Sequence, residues 1–110
     1  MASDNQPAYL PLAAALEVLG QGWSLLVVRL LLEEPHSFED MVGGLPSLDA
    51  ADVARHVEAL TAAGVIVAVE AGPDRVLHTL SALGRGLAPV VTSLETWSQT
   101  LQRGRRRSAG

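Results

Sequence analysis

The sequence predicts a small domain of mainly α (α+β) class, with four helices, one β-hairpin and a long C-terminal helix. Apolar residues recur at helical spacing through most of the chain, and one short β-branched stretch is interrupted by a turn sequence. The length of 110 residues and the apolar content of 48% suffice for one hydrophobic core.

The first two helices are predicted from their apolar residues and from the glycines between them. Residues 8–19 place Leu12 and Leu16 on one face, and a Gly-Gln-Gly sequence ends that helix. Residues 24–34 form the second, whose sequence SLLVVRLLLEE is apolar almost all round. We therefore expect the second helix at the centre of the core.

Two further helices each begin at a capping residue. Ser37, with Asp40 three residues later, predicts a short helix over 38–45. Asp49 is expected to cap a helix over 50–63. The apolar spacing predicts its buried stripe as Val53, Val57 and Leu60.

After the fourth helix, the spacing of the apolar residues changes from a helical pattern to one typical of strands. Residues 65–70 and 75–80 predict a hairpin around the turn sequence Ala-Gly-Pro-Asp. Downstream, a heptad seam indicates a long helix, and Pro89 predicts a kink or a helix start. The seam consists of Leu80, Leu83, Leu87, Val90, Leu94, Trp97 and Leu101.

The seam also predicts a homodimer. A domain of this size has a core without its last helix, so the stripe is expected to pack against its two-fold mate. The seam residues predicted for the dimer interface are Leu87, Val90, Leu94, Trp97 and Leu101.

The predicted domain covers residues 8–101, between a flexible N-terminus (1–7) and a disordered basic tail (102–110). The N-terminal sequence lacks the pattern of a secretory signal, and no apolar run reaches roughly 18 residues. We expect a cytoplasmic protein that makes no membrane contact.

The net charge of −4 is unevenly distributed along the chain. All eight basic residues are Arg, and four of them fall within the last eight residues. Residues 1–102 therefore carry four Arg against twelve acidic residues, a net charge of −8. This part of the chain is expected to repel a polyanion.

Several chemistries have no support in the composition. Without Cys there is no disulfide, thiolate zinc site or thiol redox switch. The three His have no metal-binding spacing, and no strand is followed by a glycine-rich phosphate loop. We therefore expect neither a metal, nor a cofactor, nor an enzyme.

The element order and three stretches resemble the HxlR family of bacterial winged helix-turn-helix regulators. The stretches are ALEVLGQGWSLLVVRLLLEEPHSFEDM, LPSLDAADVARHVEALTAAGVI and HTLSALGRGLAPVVTSLETW. The resemblance implies a winged helix-turn-helix with a two-stranded wing and a long C-terminal dimerisation helix. It also implies a homodimer joined through the first and last helices, which adds Leu12 and Leu16 to the predicted interface. Such a dimer is expected to bind double-stranded DNA at two half-sites, with 50–63 as recognition helix.

The predicted DNA-binding residues follow from that alignment. The family usually has cations early in the recognition helix and a Cys at the position of Leu10, so thiol sensing is not implied here. Only Arg55 is a strong ligand for bases or phosphates. The candidates are Ala50, Ala51, Asp52, Arg55 and His56, with Arg75 on the wing.

The scarcity of cations leaves a second hypothesis open. The fold could serve as a small-molecule-binding or protein-interaction module at its dimer interface after losing DNA binding. The residues predicted to line such a ligand cavity are Tyr9, Trp23, His78 and Trp97. The basic tail is either a solvated end or an arm that holds phosphates.

Overall fold

The computed structural model describes residues 10–19 and 23–109, and its element order confirms the predicted class. Two strands and six helices follow one another in these ranges. They are α1 (Leu10–Leu19), α2 (Ser24–Glu33), α3 (Phe38–Gly44), α4 (Ala50–Ala62), β1 (Ile66–Glu70), β2 (Val76–Leu80), α5 (Ala82–Arg85) and α6 (Ala88–Ala109).

The core is built around α2, as its sequence predicts. Val27 and Val28 are fully buried, and Leu31 lies beside them. The helix contacts α3, α4, α6 and β2. A helix with apolar residues on every side gains most when other elements cover all of its faces.

Both predicted capping residues start their helices. The Ser37 hydroxyl accepts a hydrogen bond from the backbone N–H of Asp40 (3.1 Å), and Asp49 accepts one from the N–H of Asp52 (2.8 Å). These bonds satisfy N–H groups that the first helical turn leaves unpaired. The predicted stripe of α4 is buried, so its opposite face is exposed.

The wing is the antiparallel pair β1–β2, whose register runs from Ile66↔Leu80 to Glu70↔Val76. The middle of β2 is joined to the α2–α3 loop by an isolated bridge. The backbone N–H of His36 donates to the carbonyl of His78 (3.0 Å), and the backbone N–H of His78 donates to the carbonyl of His36 (2.7 Å). The hairpin is therefore attached to the helical layer by backbone hydrogen bonds.

The last helix begins at Ala88, which confirms a helix start near Pro89. A proline in the first turn lacks only an N–H that would have no helical partner. The sequence predicts disorder over 102–110, whereas α6 continues through Ala109. Gln and Arg favour helices, and Arg106 and Arg107 interact favourably with the helix C-terminus, against the cost of Gly104.

His56 is a buried core residue, so its prediction as a DNA contact is wrong. Its exposed fraction is 4%, and its Nδ1 lies 3.1 Å from the Oγ of Ser24, which is 1% exposed. The helical period explains the burial, because residue 56 is three residues beyond Val53 and precedes Val57 on the same inner face. This pair links α2 to α4 inside the core.

No single helix in the described ranges is long and apolar enough to cross a membrane. The only combination that meets the length and composition criteria there is the bent pair of α1 and α2.

We predict that Ser24→Ala lowers the free energy of unfolding by about 1–3 kcal/mol, because it leaves a buried imidazole nitrogen unpaired. Urea unfolding followed by circular dichroism at one protein concentration measures the loss. The control is Ser47→Ala at an exposed loop position, which should change stability by less than about 0.5 kcal/mol. Equal stabilities of the two variants would contradict the buried contact.

We predict a second loss of stability, about 2 kcal/mol, for Gly84→Ala. A Cβ at this buried glycine would overlap the carbonyl oxygen of Val65, where α5 meets the start of the wing. Gly43→Ala is the matched control, because nothing lies within 4 Å of its added methyl group. In a helix that control should be neutral or stabilising by up to about 1 kcal/mol; similar losses in both variants would refute the close approach.

Candidate functional site

The outer face of α4 is the first candidate site. Ala51, Ala54, Arg55 and Glu58 are exposed and follow one another at helical spacing, opposite the buried stripe. Ala50 is exposed at the N-terminal end, beside the capping Asp49. The first turns of this helix are therefore accessible to a large ligand.

Four of the five residues predicted on the recognition helix lie on this accessible side, and His56 does not. Ala50 and Ala51 are exposed and Asp52 is half-buried. Ala54 and Glu58, which the sequence-based prediction does not include, lie three and seven residues after Ala51 and so share its face. The periodicity that predicts the buried stripe would also have identified these two residues.

Arg55, the only cation of this face, forms an ion pair with Asp52. Its Nη2 donates to Asp52 Oδ1, and the two side chains are 64% and 34% exposed. The hydrogen bond from Arg55 lowers the pKa of Asp52, so this carboxyl stays ionised. An exposed pair of this kind is weak, so a phosphate can exchange for the carboxylate.

Arg75 lies in the turn at the tip of the wing. The N–H of Ala71 donates to the Arg75 carbonyl (2.9 Å), and the Arg75 N–H donates to Gly72 (3.2 Å). Asp74 has a left-handed φ of 56°, which Asp tolerates better than most residues. The tip thus exposes one cation next to an acidic neighbour.

A second candidate site is an open apolar groove between α1 and α6, with a volume of about 740 Å³. Six of the seven predicted interface residues line it, and the seventh, Leu101, is half-buried farther along α6. Helix α1 has no buried residue, and Leu12 is 63% exposed. The lining residues are Leu12, Ala15, Leu16, Leu19, Leu25, Leu87, Pro89, Val90, Ser93, Leu94 and Trp97.

The structure does not assemble the predicted ligand cavity. Trp97 lines the groove, but Trp23 and His78 do not, and Tyr9 falls outside the described residues. His78 instead lies in the middle of β2, opposite His36, and the Nδ1 of His78 and the Nε2 of His36 are buried without a hydrogen-bond partner. Among the residues with described positions, no cluster of three or more His, Asp or Glu could hold a metal ion.

Comparisons with known proteins agree with this architecture. YvaP of Bacillus subtilis (strain 168), an uncharacterized HTH-type transcriptional regulator, is 26% identical over 86 residues, which cover 76% of this chain and 80% of YvaP. The crystal structure of PA1607, a proposed transcription factor, has a TM-score of 0.78 and 31% identity, covering 88% of this chain and 68% of that one.

The reduced form of the transcriptional regulator YodB from B. subtilis has the same fold, with a TM-score of 0.71 and 20% identity over 81% of this chain and 89% of YodB. The HxlR-like helix-turn-helix family matches residues 18–105. The family predicted from the sequence is therefore confirmed, and the chain belongs to the HxlR-like helix-turn-helix family of transcriptional regulators.

Proposed function

We propose that the protein is a homodimeric transcriptional regulator that binds double-stranded DNA through the outer face of α4 and the tip of the wing. The exposed N-terminal end of α4 is the observation that carries the proposal. Its inner face is anchored in the core by Val53, Val57 and Leu60, so the outer face is held rigidly. In helix-turn-helix proteins this end of the recognition helix enters the major groove.

The residue types on this face define the contacts that α4 can make. Ala51 and Ala54 are small, so the helix can approach the bases closely and contact thymine methyl groups. Arg55 can leave Asp52 to bind a phosphate or a guanine edge. Arg75 is exposed at the tip of the wing, and in the proposed complex it contacts the DNA backbone.

The charges limit the affinity that this surface can reach. Arg55 and Arg75 give a dimer four cationic contacts, whereas a typical binder makes about 6–10 phosphate contacts. Asp52 and Glu58 share the face with Arg55 and repel phosphates. We therefore expect weak binding at physiological salt.

The groove supports the proposed dimer. A second copy would cover apolar side chains of α1 and α6 that the single chain leaves exposed. Two-fold symmetry then requires half-sites about 34 Å apart, or a multiple of this distance.

A regulator of this kind acts where the chromosome is, so we place it in the cytoplasm.

The alternative, a module that has lost DNA binding and holds a small molecule at the dimer interface, is not favoured. The volume of the groove is in the range of ligand pockets. However, the groove is open and almost wholly apolar, and the same side chains are those that a second chain would cover.

For DNA binding, we predict opposite effects of two neighbouring substitutions. Arg55→Ala should make the slope of log K against log salt shallower by about 2 for a dimer, because one phosphate contact is lost per protomer. Asp52→Asn should tighten binding, because it frees Arg55 and removes a repulsive charge. Fluorescence anisotropy with a duplex selected by the wild-type protein from random sequences measures both effects.

The control for these variants is Glu34→Gln, an exposed acid outside α4 that should leave the slope unchanged. Failure of the wild-type protein to bind any duplex at about 50 mM salt would contradict the proposed function, since phosphate contacts are strongest there.

For the dimer, we predict that Leu94→Asp shifts the protein to monomer in sedimentation velocity. The charge would have to be buried against the partner without a counter-ion, whereas the position is exposed in the single chain, so the fold should persist. Val69→Asp is the matched control, because Val69 is similarly exposed but lies on the wing. A Leu94→Asp variant that stays dimeric would refute the proposed interface.

A further inference from the structure

The C-terminal part of α6 carries a concentration of positive charge that the proposed site does not use. We call residues 102–107 the arginine arm; it contains Arg103, Arg105, Arg106 and Arg107. No acidic residue follows Glu95 in the sequence. All four arginines are exposed, and within the described residues none of them pairs with a carboxylate. Arg103 donates only to the Oγ1 of Thr100, at 3.5 Å.

The arm continues α6 past its ion pair with α2. The contact between Arg29 Nε and Glu95 Oε2 (3.1 Å) joins α6 to α2. Twelve residues of helix separate Glu95 from Arg107, a rise of about 18 Å. The charges are therefore held on a helical extension.

The helical period turns most of these charges away from the groove. With about 100° per residue, Arg103, Arg106 and Arg107 project from the side of α6 opposite Leu94 and Leu101. Arg105 alone falls beside the apolar stripe. A dimer formed through the groove would leave the other three exposed, so each arm keeps an outer cationic face.

Stabilisation of the helix does not account for the whole cluster. Only Arg106 and Arg107 are in the last turn, where a cation interacts well with the helix C-terminus. Meanwhile residues 1–102 carry a net charge of −8, and Arg55 is paired with Asp52. A polyanion that approaches the protein is attracted mainly by the arms.

We infer that the arginine arm binds the phosphate backbone of DNA independently of sequence, and so supplies attraction that the recognition face lacks. This inference rests on the proposed function. The arm has no apolar or aromatic side chain with which to enter a membrane or anchor a protein interface. Guanidinium groups match phosphate oxygens in pairs, which favours a nucleic-acid backbone. Arg106 and Arg107 lie beyond the stretch that matches the family, whereas Arg103 and Arg105 lie within it.

The test compares the full chain with a variant carrying Arg103→Gln, Arg105→Gln, Arg106→Gln and Arg107→Gln. Both are titrated with the duplex selected by the wild-type protein and with an unrelated duplex of equal length, over a range of salt. Gln keeps the helix, which circular dichroism verifies, and sedimentation checks that the dimer persists. Arg85→Gln, an exposed arginine of α5, is the matched control.

We expect the variant to bind both duplexes at least about tenfold more weakly at low salt, with equal losses on the two. The salt slope should become shallower by up to about 7 for a dimer, since eight cations are removed. If the wild-type protein binds its duplex and the variant has the same salt slope, the proposed role of the arm is refuted and the proposed function stands. A loss confined to the selected duplex would also refute the role of the arm, because the arm would then read sequence. Absence of wild-type binding to either duplex would refute the proposed function itself.

Discussion

The burial of α2 is the constraint on which the rest of the structure depends. Its apolar residues face in every direction, so the helix is stable only where α3, α4, β2 and α6 surround it. Those four elements come from all parts of the chain after α2. Covering one helix therefore fixes where the recognition helix, the wing and the C-terminal helix meet.

Within this apolar centre, the Ser24–His56 hydrogen bond helps to fix the orientation of α4 relative to α2. Apolar contacts are non-directional, whereas a hydrogen bond between two buried groups has a preferred distance and angle. The bond joins the first residue of α2 to the middle of α4. The orientation of the exposed alanine face is thus determined partly by a polar pair on the opposite side of the helix.

Local patterns predicted most of the fold, and contacts between distant residues account for what they missed. Ser37, Asp49 and Pro89 mark the starts of helices. They act on backbone groups within four residues along the chain, so these helix starts can be predicted from the sequence. The bridge between His36 and His78 joins segments far apart in the chain and has no local signal.

The candidate site was predicted less well than the fold. Family alignment placed His56 in the DNA contact, although its own helical period places it in the core. The pairing of Arg55 with Asp52 depends on side-chain rotamers that no spacing rule determines. By contrast, the heptad pattern identified four of the groove residues, three of them on α6 and Leu87 directly before it, because a repeated apolar stripe reflects a single face of one helix.

The absence of any buried residue in α1 has a consequence for how the protein responds to its own abundance. A ten-residue helix is marginal by itself in water, so in the proposed dimer it gains its stability from association. Dilution would then dissociate the dimer and unfold α1 as well. When dimers are scarce, their number rises with the square of the chain concentration, so doubling expression would increase them about fourfold. A gene controlled by such a dimer would respond to the supply of regulator more steeply than in proportion.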